Sequence, residues 1–153
     1  MSNFTISAIG KFKPGAELEL YHNYEKRIKW KISLKEFEIK HNLSCEIRKN
    51  EEAKLLLSAC NKADIIIALD EKGKTLSSQE LANYLQENML KGNSNIAFII
   101  GGADGLHETI KQKSNLVLSF GRLTFPHLLV RGLLVEQIYR SQTIINNHPY
   151  HRE

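Results

Sequence analysis

A chain of 153 residues, 42% apolar and 25% charged, has the composition and length of one ordinary globular domain with a single sizeable core. No apolar run approaches the ~20 residues needed to cross a bilayer, and "MSNFTISAIGKFK" has no basic segment ahead of an apolar one, so a membrane span and a secretory signal are not expected. Two cysteines, Cys45 and Cys60, make no disulfide framework and suit a cytoplasmic protein, while a net charge of +4 suits either a polyanionic partner or simply a solvated basic surface.

Strand and helix patterns alternate along the chain. "FTISAIG" (4–10) reads as a strand and "KFKPG" as a loop. A helical pattern opens at Pro14 and runs to about Trp30. "SLKEFEIK" (33–40) alternates apolar and polar, as a half-buried strand does. "EEAKLLLSAC" (51–60) is helical, and "ADIIIALD" (63–70) is a β-branched run suited to a strand covered on both faces. Ser77 with Glu80 three residues on is a capping-box signature for a helix over 77–90. "NIAFIIGG" (95–102) is a second buried strand, a short helix spans about 106–113, and "NLVLSF" (115–120) is a third buried strand. Pro126 starts the last helix, which runs to about Ile145; proline is at home in a first turn. This β–α alternation predicts an α/β domain, residues 1–153, with a mostly parallel sheet and helices on both faces.

Ligands of such sheets bind beyond the carboxyl ends of the strands. Three segments lie there: "LDEKGKT" (69–75), "GGADG" (101–105) and "FGRLTFPH" (120–127). Gly73-Lys74-Thr75 matches the end of a P-loop, but that motif needs glycine five residues before Gly73, where Ala68 stands. "IIGGADG" lacks the GxGxxG spacing; it is either a tight strand-to-helix turn or a wall without side chains for a flat ligand. In the third segment, free backbone groups between Leu123 and Phe125 suit a heteroaromatic ring, whereas a histidine placed like His127 is more often structural than catalytic.

In the last helix, Leu128, Leu129, Val130, Leu133, Leu134, Val135, Ile138 and Tyr139 spread almost all round the axis. A helix apolar all round must be covered all round. A sheet covers one side, and a second copy of the chain is the expected cover of the other. Glu136 and Arg140 are i,i+4 partners, within the helix or across a dimer. His148 and His151 have no further ligand at metal spacing, so no metal site is expected.

"LDEKGK", "IIGGADGL", "LSFGRLTFPHLLVR", "VEQIYR" and the terminal "NHPYHRE", in this order, resemble the RlmH family of SPOUT-class methyltransferases, which act on a pseudouridine of 23S ribosomal RNA. The resemblance implies a sheet whose C-terminal part is threaded into a trefoil knot, a rare exception among folds. It also implies S-adenosylmethionine as cofactor, a homodimer, and methylation at N3 of a pseudouridine at the ribosomal subunit interface. Cofactor contacts carried over from the family fall on Leu69, Gly101, Phe120, Gly121, Arg122, Leu123, Thr124 and Phe125. The tail supplies the candidate catalytic residues Tyr150, His151 and Arg152: a base stack, the N3 proton (His148 or His151) and a phosphate contact. The alternative for the tail is a structural clasp, with Pro149 and Tyr150 packed on the last helix. Two rival functions are a Rossmann-like nucleotide-binding enzyme and a non-catalytic ribosome-associated RNA-binding module.

Overall fold

A computed structural model describes residues 1–40 and 42–152. Glu153, the last residue of the terminal motif, lies outside the described residues. Five strands, β1 (Asn3–Ile9), β2 (Lys31–Phe37), β3 (Ile65–Thr75), β4 (Asn95–Ile100) and β5 (Leu116–Ser119), alternate with five helices. The helices are α1 (Ala16–Glu25), α2 (Cys45–Ser58), α3 (Ser78–Leu90), α4 (Glu108–Lys113) and α5 (His127–Ile145). The strands form one sheet in the order β2-β1-β4-β3-β5 with every pairing parallel. The expected "mostly parallel" sheet is therefore wholly parallel.

Both faces are covered. Tyr21 of α1, Leu81 and Leu85 of α3, and Leu134, Val135 and Ile138 of α5 pack on one face against Phe4, Ile6, Ile67 and Phe98. Ala53 and Leu56 of α2 with Ile110 of α4 pack on the other, against Ala68, Ala97 and Ile99. Strands buried on both faces need apolar residues at consecutive positions, which is why β3 and β4 carry continuous runs. The capping box at α3 is present: Ser77 Oγ accepts the Glu80 N–H at 3.1 Å, and Glu80 Oε2 accepts the Ser77 N–H at 2.7 Å.

Boundaries depart from expectation where tertiary pairing intervenes. α1 ends at Glu25, not near Trp30, because the following turn brings the Trp30 ring onto Phe4, 4.9 Å between centroids. β2 begins two residues early and ends at Phe37, matched residue for residue to β1. α2 begins at Cys45, six residues before the apolar pattern shows it, because its first turns face the glycine loop and solvent instead of the core. β3 continues through the segment read as a loop. After a register break between Leu69 and Lys74, Lys74 and Thr75 pair with Leu118 and Ser119.

Candidate functional site

The register break of β3 and the carboxyl ends of β4 and β5 surround a cavity of about 400 Å³, within the ~300–1,000 Å³ of small-molecule sites. Leu69, Ile100, Leu118, Phe120 and Val130 form an apolar wall, Gly101–Leu106 another, and Gly121, Leu123, Thr124, Phe125 and His127 a third. Seven of the eight residues expected at a cofactor are thus brought together; the eighth, Arg122, is exposed and absent from the wall. Leu123 is 73% exposed, an apolar side chain standing at the lip.

The loops are tied to one another. Thr124 Oγ1 donates to Glu71 Oε2 at 2.8 Å, and Ser119 Oγ accepts the Gly121 N–H at 3.0 Å, with the Glu71 carbonyl also at 3.0 Å. Of the two readings of this segment, the tight turn is the one the packing at Gly101 supports. A Cβ there would lie 2.8 Å from Leu106 Cδ2 and 3.0 Å from the Gly105 carbonyl oxygen. Its missing side chain lets the Gly102–Gly105 turn fold back on the end of β4.

Charged groups that the sequence reading did not assign to a ligand site line the rim. Asp70 accepts the Lys72 N–H at 2.8 Å and pairs with Lys111 at 3.0 Å. Burial alone would raise its pKa; the Lys72 N–H and the Lys111 ammonium outweigh this and hold it below the usual carboxylate value. Lys49 of α2 also lines the cavity, and Arg48 beside it pairs with Asp104 of the glycine loop at 3.2 Å. Four residues after Arg48, Glu52 is 5% exposed; burial, then the nearby Asp104 charge, raises its pKa, with Arg48 opposing.

Behind His127, which lines the cavity, lies a buried network. Arg131, fully buried, donates to Glu36 at 2.6 Å and to the carbonyls of Ile9 and Gly10 at 2.7 and 2.8 Å. Glu36 also accepts the Phe12 N–H at 2.6 Å. A Cβ on Gly10 would fall 2.8 Å from His127 Nε2, so the imidazole lies directly against that glycine. Burial, and then the Arg131 charge, lowers the pKa of His127 and keeps it neutral near pH 7.

The tail sits elsewhere. Tyr150 donates its hydroxyl to Glu136 Oε1 at 3.0 Å, and its ring meets Tyr139 edge-on at 4.8 Å between centroids. The Arg27 and Arg140 guanidinium carbons lie 5.4 and 4.7 Å from its centroid. Arg140 binds Glu136 Oε1 through Nε and Nη2 at 3.0 and 2.6 Å, and its Nη1 donates to His151 Nδ1 at 3.1 Å. A guanidinium only donates, so His151 Nδ1 accepts and the ring proton resides on Nε2. Arg152 is exposed. None of Tyr150, His151 or Arg152 lines the 400 Å³ cavity of its own chain. Among the described residues there is no group of three or more His, Cys, Asp or Glu able to hold a metal, and no helix long and apolar enough to cross a membrane.

A family model described as predicted SPOUT methyltransferase matches residues 2–151. The Ribosomal RNA large subunit methyltransferase H of Rhodospirillum centenum is 44% identical over 147 residues, 96% of this chain and 97% of its own. Its counterpart in Alkaliphilus oremlandii is 42% identical over 98% of this chain and 99% of its own. Among solved structures, a probable methylase family protein from Haemophilus influenzae aligns with a TM-score of 0.60 at 13% identity, covering 99% of this chain and 71% of that one. A probable methyltransferase from Bordetella pertussis gives 0.54 at 10% identity, covering 92% and 94%. At such identities the likeness is one of fold.

Proposed function

The chain belongs to the SPOUT methyltransferase family, with the Ribosomal RNA large subunit methyltransferase H proteins, and from that membership we propose how its site works: an S-adenosylmethionine-dependent methyltransferase of large-subunit ribosomal RNA, acting at N3 of a pseudouridine. The observation that carries the reading is the cavity where the β3 register break, the ends of β4 and β5 and their loops converge. Its residues fit the cofactor. Leu69, Ile100 and Phe120 offer apolar surface to a flat base. The peptide groups around Gly101 and Gly121 offer donors and acceptors. The Lys49, Asp70 and Lys111 rim offers both charges to a zwitterionic end.

When bound, that cofactor supplies a methyl group on a positively charged sulfur, already electrophilic. The protein's part is to orient and to exclude water. The Thr124–Glu71 and Ser119–Gly121 bonds fix the third loop, and the Arg131 network fixes the end of β1 beside it. N3 carries a proton that must leave for its lone pair to react, so a positioned acceptor is required.

The homodimer, the trefoil threading of the C-terminal part and a cytoplasmic location belong to the same proposal. Leu128, Leu129 and Leu133 of α5 are only half-buried in the single chain, which favours a second copy as their cover. The tail engages RNA: exposed Arg152 meets phosphate, while Tyr150 and His151 order the end of α5. Because the tail does not reach the cofactor cavity of its own chain, it serves a site completed by the partner. The test is incubation of labelled S-adenosylmethionine with ribosomes lacking the modification. Label is expected on one pseudouridine of large-subunit RNA; label elsewhere, or none, overturns the reading.

A further inference from the structure

The segment 70–75, whose Gly73-Lys74-Thr75 ending is not a P-loop, carries two lysines that cofactor binding leaves unused. In the fold it begins as an excursion from β3. Leu69 and Lys74 both pair with Leu118, so residues 70–73 loop out between them at the rim of the cavity. The excursion is pinned at Asp70, Glu71 and Gly73. Asp70 Oδ1 accepts the Lys72 N–H at 2.8 Å, and Asp70 Oδ2 holds Lys111 at 3.0 Å. The Glu71 carbonyl lies 3.0 Å from Ser119 Oγ, and Glu71 Oε2 accepts the Thr124 hydroxyl at 2.8 Å. Gly73 lies flat on β5, since a Cβ there would fall 2.6 Å from the Val117 carbonyl oxygen. Glu71 therefore fixes the excursion to the loop after β5, which carries Arg122.

The charge of this rim is one-sided once its internal pairs are set aside. Asp70, Glu71 and Asp104 are the carboxylates lining the cavity. Asp70 is engaged by Lys111, Glu71 by Thr124 and Asp104 by Arg48. Lys72, Lys74 and Arg122 are exposed, and none of them forms an ion pair with a described residue. Ordinary solvated surface intersperses both signs. Here the cations stand on a rigid frame whose neighbouring carboxylates are already taken. Such a frame suits a polyanion, because the backbone that carries the charges needs no further ordering when the partner binds. Lysine meets a phosphate as a point charge, and arginine meets it bidentately.

We infer that Lys72, Lys74 and Arg122 form a platform for the sugar–phosphate backbone of the RNA strand that carries the target nucleotide, which rests on the methyltransferase reading above. Phosphate contacts position a strand without reading its sequence. Because the excursion and the loop after β5 also border the cavity, the platform sets where the strand lies relative to the cofactor. Choice of the base is left to other elements. The exposure of Arg122 and its absence from the cavity wall fit this division: its side chain serves the RNA, not the cofactor.

Anisotropy of a fluorescein-labelled single-stranded RNA, followed across a salt series, tests this. Each phosphate contact to a single strand contributes about 0.7 to the slope of log K against log salt. The Lys72→Ala/Lys74→Ala double variant should therefore lose about 1.4 from the slope, and about tenfold in affinity at ~0.1 M salt. Arg122→Ala should lose about 0.7 more. Lys62→Ala/Lys91→Ala removes the same charge from exposed lysines that precede β3 and β4, at the opposite edge of the sheet, and should leave the slope as it is. Lys72→Arg/Lys74→Arg should restore it. With ribosomes lacking the modification, the first double variant should raise KM about fivefold or more with kcat within about twofold. S-adenosylmethionine affinity by calorimetry should hold within the same margin. Equal losses in the two alanine pairs would leave net charge as the whole effect and overturn the platform. An unchanged slope, or loss of cofactor binding, overturns it as well. Weaker ribosome binding with unaltered RNA binding assigns these residues to a ribosomal protein, which also sinks it. If the wild-type protein binds the RNA through these residues yet labels no ribosomal RNA, the platform stands and the methyltransferase reading fails.

Discussion

Arg131→Met removes a guanidinium from the interior and keeps most of its stem. The side chain is 0% exposed, and it holds Glu36 Oε2 at 2.6 Å and the carbonyls of Ile9 and Gly10 at 2.7 and 2.8 Å. Removing one partner of a buried pair costs ~3–5 kcal/mol, because the other is left uncompensated. Here the Glu36 side chain is 26% exposed and can recruit water. The two carbonyls, at the buried end of β1, have less recourse. The lower part of the range, about 3 kcal/mol, is expected, which is ~6–12 °C in Tm for a chain of this size. Urea unfolding by circular dichroism at fixed protein concentration measures it. A Glu36→Leu variant and the double variant complete a cycle whose coupling should exceed ~1 kcal/mol. A loss under ~1 kcal/mol for Arg131→Met, or no coupling, refutes the claim that this network holds the end of β1. The same variant should weaken S-adenosylmethionine binding, since His127 lies against Gly10 on one side and lines the cavity on the other.

Gly101→Val should lose S-adenosylmethionine binding in calorimetry while the helical signal persists, because the first added carbon already meets the Gly105 carbonyl at 3.0 Å and must push the turn outward; unchanged affinity removes Gly101 from the site. His127 should titrate by NMR below the ordinary histidine value of ~6.5. With a lowered folded value the unfolded chain binds more protons, so stability should fall as pH drops from ~6.5 to the folded pKa and level off below it; titration at or above the ordinary value counters this. Sedimentation at low micromolar concentration should show a species of twice the 17.5 kDa chain mass, and a stable folded monomer would remove the argument from α5. Deleting residues 150–153 should lower methyl transfer steeply with cofactor affinity retained; loss of cofactor binding or of the dimer would make the tail purely a clasp.

The sequence alone determined the ten elements, their order and the parallel sheet, because each element's burial is written in its own periodicity. β3 and β4 announce themselves by unbroken apolar runs, and α3 by Ser77 and Glu80. Seven of the eight positions that the resemblance marks for a cofactor line one cavity, since strand ends and glycine turns are local features. Periodicity does not say which elements become neighbours. The strand order β2-β1-β4-β3-β5 sets β1 beside β4, and that adjacency brings Gly10 and Arg131 up against His127, which lines the cavity. The first turns of α2 carry Arg48 and Lys49 without an apolar stripe, so nothing local marked them as facing the glycine loop. Glu136 and Arg140 were visible as an i,i+4 pair. That Tyr150 folds back to share Glu136, and that Gln137 and Ser78 complete a polar wall with it, rests on contacts 14 and 59 residues apart along the chain, which only the folded packing of α3, α5 and the tail creates.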